Sequence, residues 1–199
     1  MPLHYLALGD SYTIGEAVPA ATRWPAQLVQ RLRRGGVAID DAQIIAVTGW
    51  TTDELATGMD AATLTPPYDL VTLLIGVNNQ YRGRGAGDYR GEFARLLSRA
   101  IALAGGRPAR VVVVSIPDWG VTRFAREQGR DAASIAHALD VYNAIARDEA
   151  GRAGARWVDI TPVSRRHPAL LAEDGLHPSA AQYALWTQAI LPVAAAAVK

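Results

Sequence analysis

The sequence predicts an α/β fold in which a parallel sheet is covered by helices on both faces. Two observations carry this prediction. Five short apolar runs are typical of buried strands, and amphipathic helical patterns separate them. Strands that alternate with helices form a parallel sheet through right-handed crossovers. The chain has 199 residues, of which 50% are hydrophobic. This is enough for one compact core, so we expect a single domain over residues 1–199.

The predicted strands are rich in Val, Ile and Leu and show no alternation of apolar and polar residues. This pattern is typical of strands that are covered on both faces. The five strands are expected at residues 4–8, 43–47, 70–75, 110–116 and 155–160.

Four helices follow from apolar residues repeated at helical spacing. Thr51 and Glu54 fit a capping box, which predicts that a further helix begins after the second strand. The four helices are expected at residues 24–34, 88–104, 131–150 and 180–198. One long irregular connection is predicted over residues 117–130, and it carries five charged side chains.

Composition excludes several classes of function. The net charge is +1, so nothing indicates binding to nucleic acid or to an anionic membrane. There is no Cys, which excludes disulfides, Cys-based zinc sites and a thiol nucleophile. No apolar run is long enough to span a membrane. Residues 1–8 do not resemble a secretory signal, so we expect a cytoplasmic protein, with a secreted form whose signal was removed as the alternative.

Polar and glycine residues follow the predicted strands at one edge of the sheet. Gly9-Asp10-Ser11 follow the first strand, Gly49 the second, and residues 76–79 the third, while residues 174–177 precede the last helix. Ligands of such sheets bind outside the carboxyl ends of the strands. These segments supply a hydroxyl, an imidazole, a carboxylate, an amide and backbone N–H groups, which are the groups that acyl transfer needs.

Each segment alone has a simpler structural interpretation. Gly-Asp-Ser is more often a turn, and a single glycine such as Gly49 usually marks a positive φ. Asn78 alone would suggest a helix cap, and Asp174 with His177 a cap beside a surface imidazole. The order of the four segments along the chain and their common edge favour catalysis instead.

The sequence resembles the SGNH (GDSL-type) hydrolases from the first strand to the last helix. Four short blocks carry the resemblance: Gly9-Asp10-Ser11-Tyr12, Gly49, Gly76-Val77-Asn78-Asn79 and Asp174-Gly175-Leu176-His177. The resemblance implies a flavodoxin-like, three-layer α/β/α fold with a five-stranded parallel sheet, and hydrolysis of esters, thioesters or related acyl groups. Two positions depart from the pattern: Tyr12 stands where Leu is frequent, and Asn79 where Asp is usual.

The chemistry of the side chains agrees with the roles that the resemblance implies. Ser11 is the nucleophile, His177 the general base, and Asp174 the acid that orients the base. The backbone N–H groups of Ser11 and Gly49 and the Asn78 side chain are the expected oxyanion donors. The remaining histidines, His4, His137 and His167, are weaker candidates for the base; His167 has Ser164, not a carboxylate, three residues before it.

The predicted function is that of a serine esterase acting on a small-molecule ester of short acyl chain, without cofactor or metal ion. The expected substrate-binding residues are Trp50, Asn79, Tyr81, Trp119 and Leu176, with Arg82 as a further candidate. An acyltransferase or thioesterase with the same triad, and a non-catalytic binding module on this fold, stay open as alternatives. A nucleotide-binding domain is disfavoured because no Gly-x-Gly-x-x-Gly follows the first strand. The sequence makes no prediction about the oligomeric state.

Overall fold

A single five-stranded parallel sheet organises the chain. The computed structural model describes all residues, Met1–Lys199. The strand order is β2-β1-β3-β4-β5, so β1 lies between β2 and β3. The strands are β1 (Tyr5–Gly9), β2 (Gln43–Ala46), β3 (Leu70–Leu74), β4 (Val111–Val114) and β5 (Arg156–Val158). The five predicted strands and the α/β fold class are therefore confirmed; β1 is shifted by one residue, and the other four strands are somewhat shorter than the apolar runs.

Nine α-helices surround the sheet, and the longer ones cover its two faces. They are α1 (Ser11–Ile14), α2 (Trp24–Arg34), α3 (Thr52–Ala61), α4 (Val77–Tyr81), α5 (Ala86–Leu103), α6 (Arg123–Glu127), α7 (Ala132–Ala153), α8 (Thr161–Arg166) and α9 (Ala180–Ala197). Helix α2 packs against α9, while α5 packs against both α3 and α7. These two groups form the outer layers. None of the helices combines the length and the apolar character that a membrane crossing requires.

The central strands are buried because both faces carry helices. Every residue of β1, β3 and β4 is buried, whereas the edge strands β2 and β5 are only partly covered. The helices contribute side chains at spacings of three and four, as in Tyr89, Phe93, Leu96 and Leu97 of α5. The predicted capping box is present: Thr51 donates its backbone N–H to Glu54 Oε2 at 2.8 Å at the start of α3.

The connection at 117–130 is not irregular, contrary to the sequence-based expectation. It contains a 3₁₀ turn at Trp119–Val121 and the short helix α6. Asp118 accepts the backbone N–H of Gly120 at 2.9 Å, and Thr122 accepts that of Ala125 at 3.2 Å. These caps fix the segment locally. One turn of helix is too short to show a hydrophobic period, which is why the sequence does not predict α1, α4, α6 and α8.

Candidate active site

Ser11 follows the interior strand β1 after one residue, Asp10, and takes the first position of α1. Asp10 caps this helix, and its Oδ1 accepts the backbone N–H of Tyr12 at 3.0 Å. Gly9 is required by close packing, since a Cβ there would lie 2.2 Å from Thr13 Oγ1 and 2.6 Å from the Leu74 carbonyl. Backbone N–H groups in the first turn of a helix have no acceptor within the helix. The N–H of Ser11 is therefore free to bind an anion beside its own hydroxyl.

Asp174 and His177 form one hydrogen-bonded unit before α9. Oδ2 of Asp174 lies 2.6 Å from Nδ1 of the His177 ring. Oδ1 of the same carboxylate accepts the backbone N–H groups of Leu176 and His177, both at 2.9 Å. The ring also contacts Tyr12 edge-on, with 5.7 Å between the centroids. The orientation of the imidazole is thus fixed, and Nε2 is the nitrogen left for chemistry. The structure contains no hydrogen bond between this ring and the Ser11 hydroxyl.

Two carboxyl groups of the site have opposite pKa shifts. Burial raises the pKa of Asp174, but the His177 ring and the backbone N–H groups of Leu176 and His177 outweigh it and hold that pKa below its ordinary value. Asp174 is therefore charged at neutral pH. Burial raises the pKa of Asp10 to about 7, against the opposing effect of the Tyr12 N–H. Asp10 is completely buried, and its Oδ2 has no hydrogen-bond partner.

Gly49 and Asn78 come from the two strands that flank β1. Gly49 has a φ of 89°, and its carbonyl accepts from Arg82 Nη2 at 2.7 Å. The Asn78 amide donates to the Trp50 carbonyl at 2.9 Å, which uses one of its two N–H groups. The loop after β2 is thereby fixed to α4, and the second N–H of Asn78 is left for a ligand.

A cavity of about 230 Å³ contains the predicted catalytic and oxyanion groups except Asp174, which lies behind His177. Tyr81, Trp119 and Leu176, which the sequence suggested as substrate-binding residues, also line it. The full lining consists of Ser11, Tyr12, Thr48, Gly49, Val77, Asn78, Tyr81, Trp119, Phe124, Leu176 and His177. The cavity is therefore mostly apolar, with its polar groups gathered around Ser11.

Trp50 and Asn79 do not line this cavity, contrary to the sequence-based expectation. The Trp50 ring lies on Gly58 of α3, where an added Cβ would come within 2.1 Å of the ring. Asn79 is fully buried; it accepts the Thr52 backbone N–H at 3.1 Å and donates to Thr52 Oγ1 at 2.6 Å. Arg82 also lies outside, since it binds Gly49 and Glu54. All three residues support the walls of the site without entering it.

The other histidines lie away from the cavity. His4, His137 and His167 are exposed, and none of them is among the lining residues. His177 is therefore the one imidazole that the fold brings to Ser11. Nowhere in the structure do three or more His, Asp or Glu side chains come together as ligands for a metal ion.

Four lining residues were not predicted from the sequence. Tyr12 and Val77 each lie just beyond the carboxyl end of a strand. They could have been predicted, because ligands of such sheets bind at these ends. Phe124 belongs to α6, which lies close because its backbone N–H donates to the Gly175 carbonyl at 3.0 Å. Arg123 makes a second link from α6 by donating to the Glu173 carbonyl at 2.6 Å. No sequence pattern predicts this contact between α6 and residues 173–175. Thr48 also belongs to no motif that would have predicted its place in the lining.

The sequence profile of the GDSL-like Lipase/Acylhydrolase family matches residues 7–185, which is most of the chain. The chain belongs to this family. Membership supports the activity of an ester hydrolase. The matched residues include Ser11, Gly49, Asn78 and His177. A search of curated proteins gives no significant match.

Solved structures of GDSL-like and other hydrolases share the fold of this family member at low sequence identity. The acetylxylan esterase Axe2 from Geobacillus stearothermophilus is 18% identical, with a TM-score of 0.74 over 96% of this chain and 94% of that one. The lipase/acylhydrolase from Enterococcus faecalis is 20% identical, with a TM-score of 0.73 over 100% and 98%. TesA is 17% identical, with a TM-score of 0.73 over 96% and 97%. The similarity covers nearly the whole of each chain.

Proposed function

We propose that this protein is a serine esterase that cleaves carboxylic esters of short acyl chain through an acyl-enzyme on Ser11. The observation that carries the proposal is the 2.6 Å contact between Asp174 and His177 Nδ1, with the ring in the same cavity as Ser11. A charged Asp174 keeps the proton on Nδ1, so that Nε2 is the basic nitrogen. An oriented base is what turns a serine hydroxyl into a nucleophile.

In the first half-reaction Ser11 Oγ attacks the ester carbonyl carbon while His177 Nε2 takes the hydroxyl proton. The negative charge that develops on the carbonyl oxygen is stabilised by the N–H groups of Ser11 and Gly49 and by the free N–H of Asn78. Collapse of the tetrahedral intermediate expels the alcohol, which receives the proton from His177. A water molecule then attacks the acyl-serine by the same steps, and the acid and Ser11 are released.

A short acyl group and a small polar or sugar-like alcohol fit this cavity best. Its volume is about 230 Å³, below the range of roughly 300–1,000 Å³ that is usual for ligand pockets. No long insertion forms a lid, since the 117–130 segment folds against residues 173–175. Tyr81, which lines the cavity and is 46% exposed, offers an aromatic surface to an alcohol ring. The similarity to an acetylxylan esterase is consistent with acetylated carbohydrates as one such class.

Two experiments test the proposal. An alkyl fluorophosphonate should label Ser11 alone, and Ser11→Ala should abolish turnover while circular dichroism and melting stay unchanged. The kcat/KM on p-nitrophenyl esters from acetate to palmitate should fall after acetate or butyrate. A deep acyl tunnel would instead give a rise through octanoate, because each buried CH₂ contributes roughly 0.8 kcal/mol. Activity in Ser11→Ala would reject the mechanism, and a steady rise would reject the short-chain preference.

A further inference from the structure

Arg130 lies over two aromatic rings at the candidate active site. Its guanidinium carbon is 5.3 Å from the ring centroid of Tyr81 and 5.3 Å from that of Trp119. Both rings line the cavity that contains Ser11. Arg130 itself is exposed, in the short link between α6 and α7. The cation is therefore exposed to solvent and in contact with two side chains of the cavity wall.

Of the two rings beneath Arg130, Trp119 is held firmly, and Tyr81, which is 46% exposed, packs against it. Trp119 is only 2% exposed, and its Nε1 donates to Gln80 Oε1 at 2.8 Å. Tyr81 meets Trp119 edge to face at 5.3 Å between centroids, and Phe124 packs on the other side at 6.5 Å. Cation–π contact with fixed rings restrains a guanidinium that would otherwise move freely in solvent. The position of the charge is thus partly preorganised.

No carboxylate lies within ion-pair distance of the Arg130 guanidinium. The acidic groups nearby in sequence have other partners: Glu127 lies 3.7 Å from Arg123, and Asp131 accepts from Ala133 and Ser134 at the start of α7. The Asp174 carboxylate is bound to His177. The lining itself contains neither Lys nor Arg, so Arg130 reaches the cavity through the rings of Tyr81 and Trp119. Arg82, which contacts the lining at the Gly49 carbonyl, is already paired with Glu54 at 3.1 Å. The N–H donors of Arg130 are left for a ligand.

We propose that Arg130 recognises an anionic group, a carboxylate or a phosphate, carried by the ester substrate of this enzyme. The inference rests on the proposed esterase function and narrows its substrate class. A guanidinium binds oxyanions through paired N–H donors. Apolar ring faces on one side reduce the competing solvent, which strengthens such a contact. Because the net charge of the chain is +1, selectivity for an anion comes from this local cation and not from the overall field of the protein.

The test compares charged and neutral esters of matched shape in two series. In the first, the charge is on the acyl part: p-nitrophenyl hydrogen adipate against p-nitrophenyl hexanoate. In the second, it is on the alcohol part: 4-acetoxybenzoate against 4-acetoxybenzamide. The ratio of kcat/KM between variant and wild type removes the intrinsic reactivity of each ester. The series that responds identifies the side of the scissile bond on which the anion lies.

For Arg130→Gln we expect the kcat/KM of the charged ester in one series to fall about three- to tenfold, which is the range for a partly exposed ion pair. The kcat/KM of the neutral ester in that series should change by less than about twofold. Arg130→Lys should recover part of the loss. Arg126→Gln is the matched control: Arg126 lies in the same segment, donates to the Val121 carbonyl and, unlike Arg130, lies over neither aromatic ring of the cavity. It should leave both ratios unchanged.

Equal losses for charged and neutral esters, or no loss in either series, would overturn the inference while leaving the esterase intact. A second measurement is independent of turnover. Calorimetry of both ester pairs with Ser11→Ala, which removes the nucleophile, should show tighter binding of the charged member of one pair, and that preference should vanish in Ser11→Ala/Arg130→Gln. If no ester is hydrolysed at all, the proposed function fails, and the binding comparison still decides whether Arg130 selects an anion.

Discussion

Asp174 binds His177 through both carboxylate oxygens: Oδ2 lies 2.6 Å from the ring Nδ1, and Oδ1 accepts the backbone N–H of the same residue at 2.9 Å. The acid therefore fixes the main chain and the ring of the base at once. The partners are three positions apart in the chain, so a single turn closes the contact. Such a unit defines which nitrogen of the imidazole carries the proton.

His177→Ala should reduce kcat nearly as much as Ser11→Ala, and Asp174→Asn should cost less. Without the base nothing takes the Ser11 proton, whereas without the carboxylate the base remains but loses its orientation. Residues that act as one unit have non-additive effects, so Asp174→Asn/His177→Ala should match His177→Ala alone. Steady-state kinetics on a short ester measures each variant.

His167→Ala is the control for the base, because His167 is also followed by Pro but lies outside the cavity. It should keep wild-type kcat. A dead His167→Ala with an active His177→Ala would show that the base has been assigned to the wrong residue.

Asn78→Ala should lower kcat by about 10²–10³ with a smaller effect on KM, the range for one lost oxyanion donor. One N–H of Asn78 is bound to the Trp50 carbonyl at 2.9 Å, and the other is left for the charge that develops in the transition state. The measurement is kcat and KM on p-nitrophenyl acetate, with thermal melting to check the fold. A change confined to KM would make Asn78 a ground-state binding residue instead.

The Asn at position 79 is explained by its neighbour Glu92. Thr52 Oγ1 donates to Glu92 Oε2, and Asn79 Nδ2 lies 3.4 Å from that same oxygen. An Asp at position 79 would bring a second carboxylate to this point and would lose the donor to Thr52 Oγ1. Asn79→Asp should therefore lower the free energy of unfolding by about 1–3 kcal/mol, measured by urea denaturation at neutral pH.

Glu92→Gln should restore much of that stability in the double variant, because it removes the like charge. The kcat per folded molecule should change little in Asn79→Asp, since Asn79 does not line the cavity. A large loss of kcat without loss of stability would instead support the prediction from the sequence that Asn79 binds the substrate. Failure of Glu92→Gln to rescue would mean that the lost donor, not the charge, is what matters.

Asp10 should make the protein less stable as the pH rises. Its pKa is raised from 3.8 to about 7 by burial, so between these values the folded protein holds a proton that the unfolded chain has released. The free energy of unfolding therefore falls with increasing pH in this window, by on the order of 4 kcal/mol for this group, and the contribution is lost as the pH passes about 7.

Asp10→Asn keeps an acceptor for the Tyr12 N–H but cannot ionise, so its stability should vary less between pH 4 and about 7 than that of the wild type. Asp41→Asn, whose side chain is 90% exposed, is the control and should keep the wild-type dependence. Chemical denaturation at each pH gives the comparison. Parallel curves for wild type and Asp10→Asn would show that Asp10 is not protonated in the folded state.

The sequence was sufficient for the sheet and for bringing the candidate catalytic residues to one edge of it, because both depend on strong, local signals. Runs such as Val111–Val114 have no alternative to burial, and the residues just beyond parallel strands meet at one edge of the sheet. The directions of individual side chains were not predictable in this way. Trp50 adjoins Gly49 in the chain, yet its ring turns onto Gly58 because only glycine leaves space there. Phe124 lines the cavity because backbone contacts hold its one-turn helix in place. A helix this short shows no hydrophobic period in the sequence.

The order of the elements along the chain separates the proposed nucleophile, Ser11, from its proposed base, His177. All five strands and Ser11 lie within residues 1–158, whereas Asp174, His177 and α9 come at the carboxyl end. Helix α9 is joined to α2 by Gln27 and Arg31, which donate to the Ala180 and Ala184 carbonyls at 3.0 and 3.4 Å. During synthesis the complete sheet can leave the ribosome before the imidazole does. The onset of hydrolysis in a translation assay would therefore time the arrival of the last helix, not the formation of the sheet.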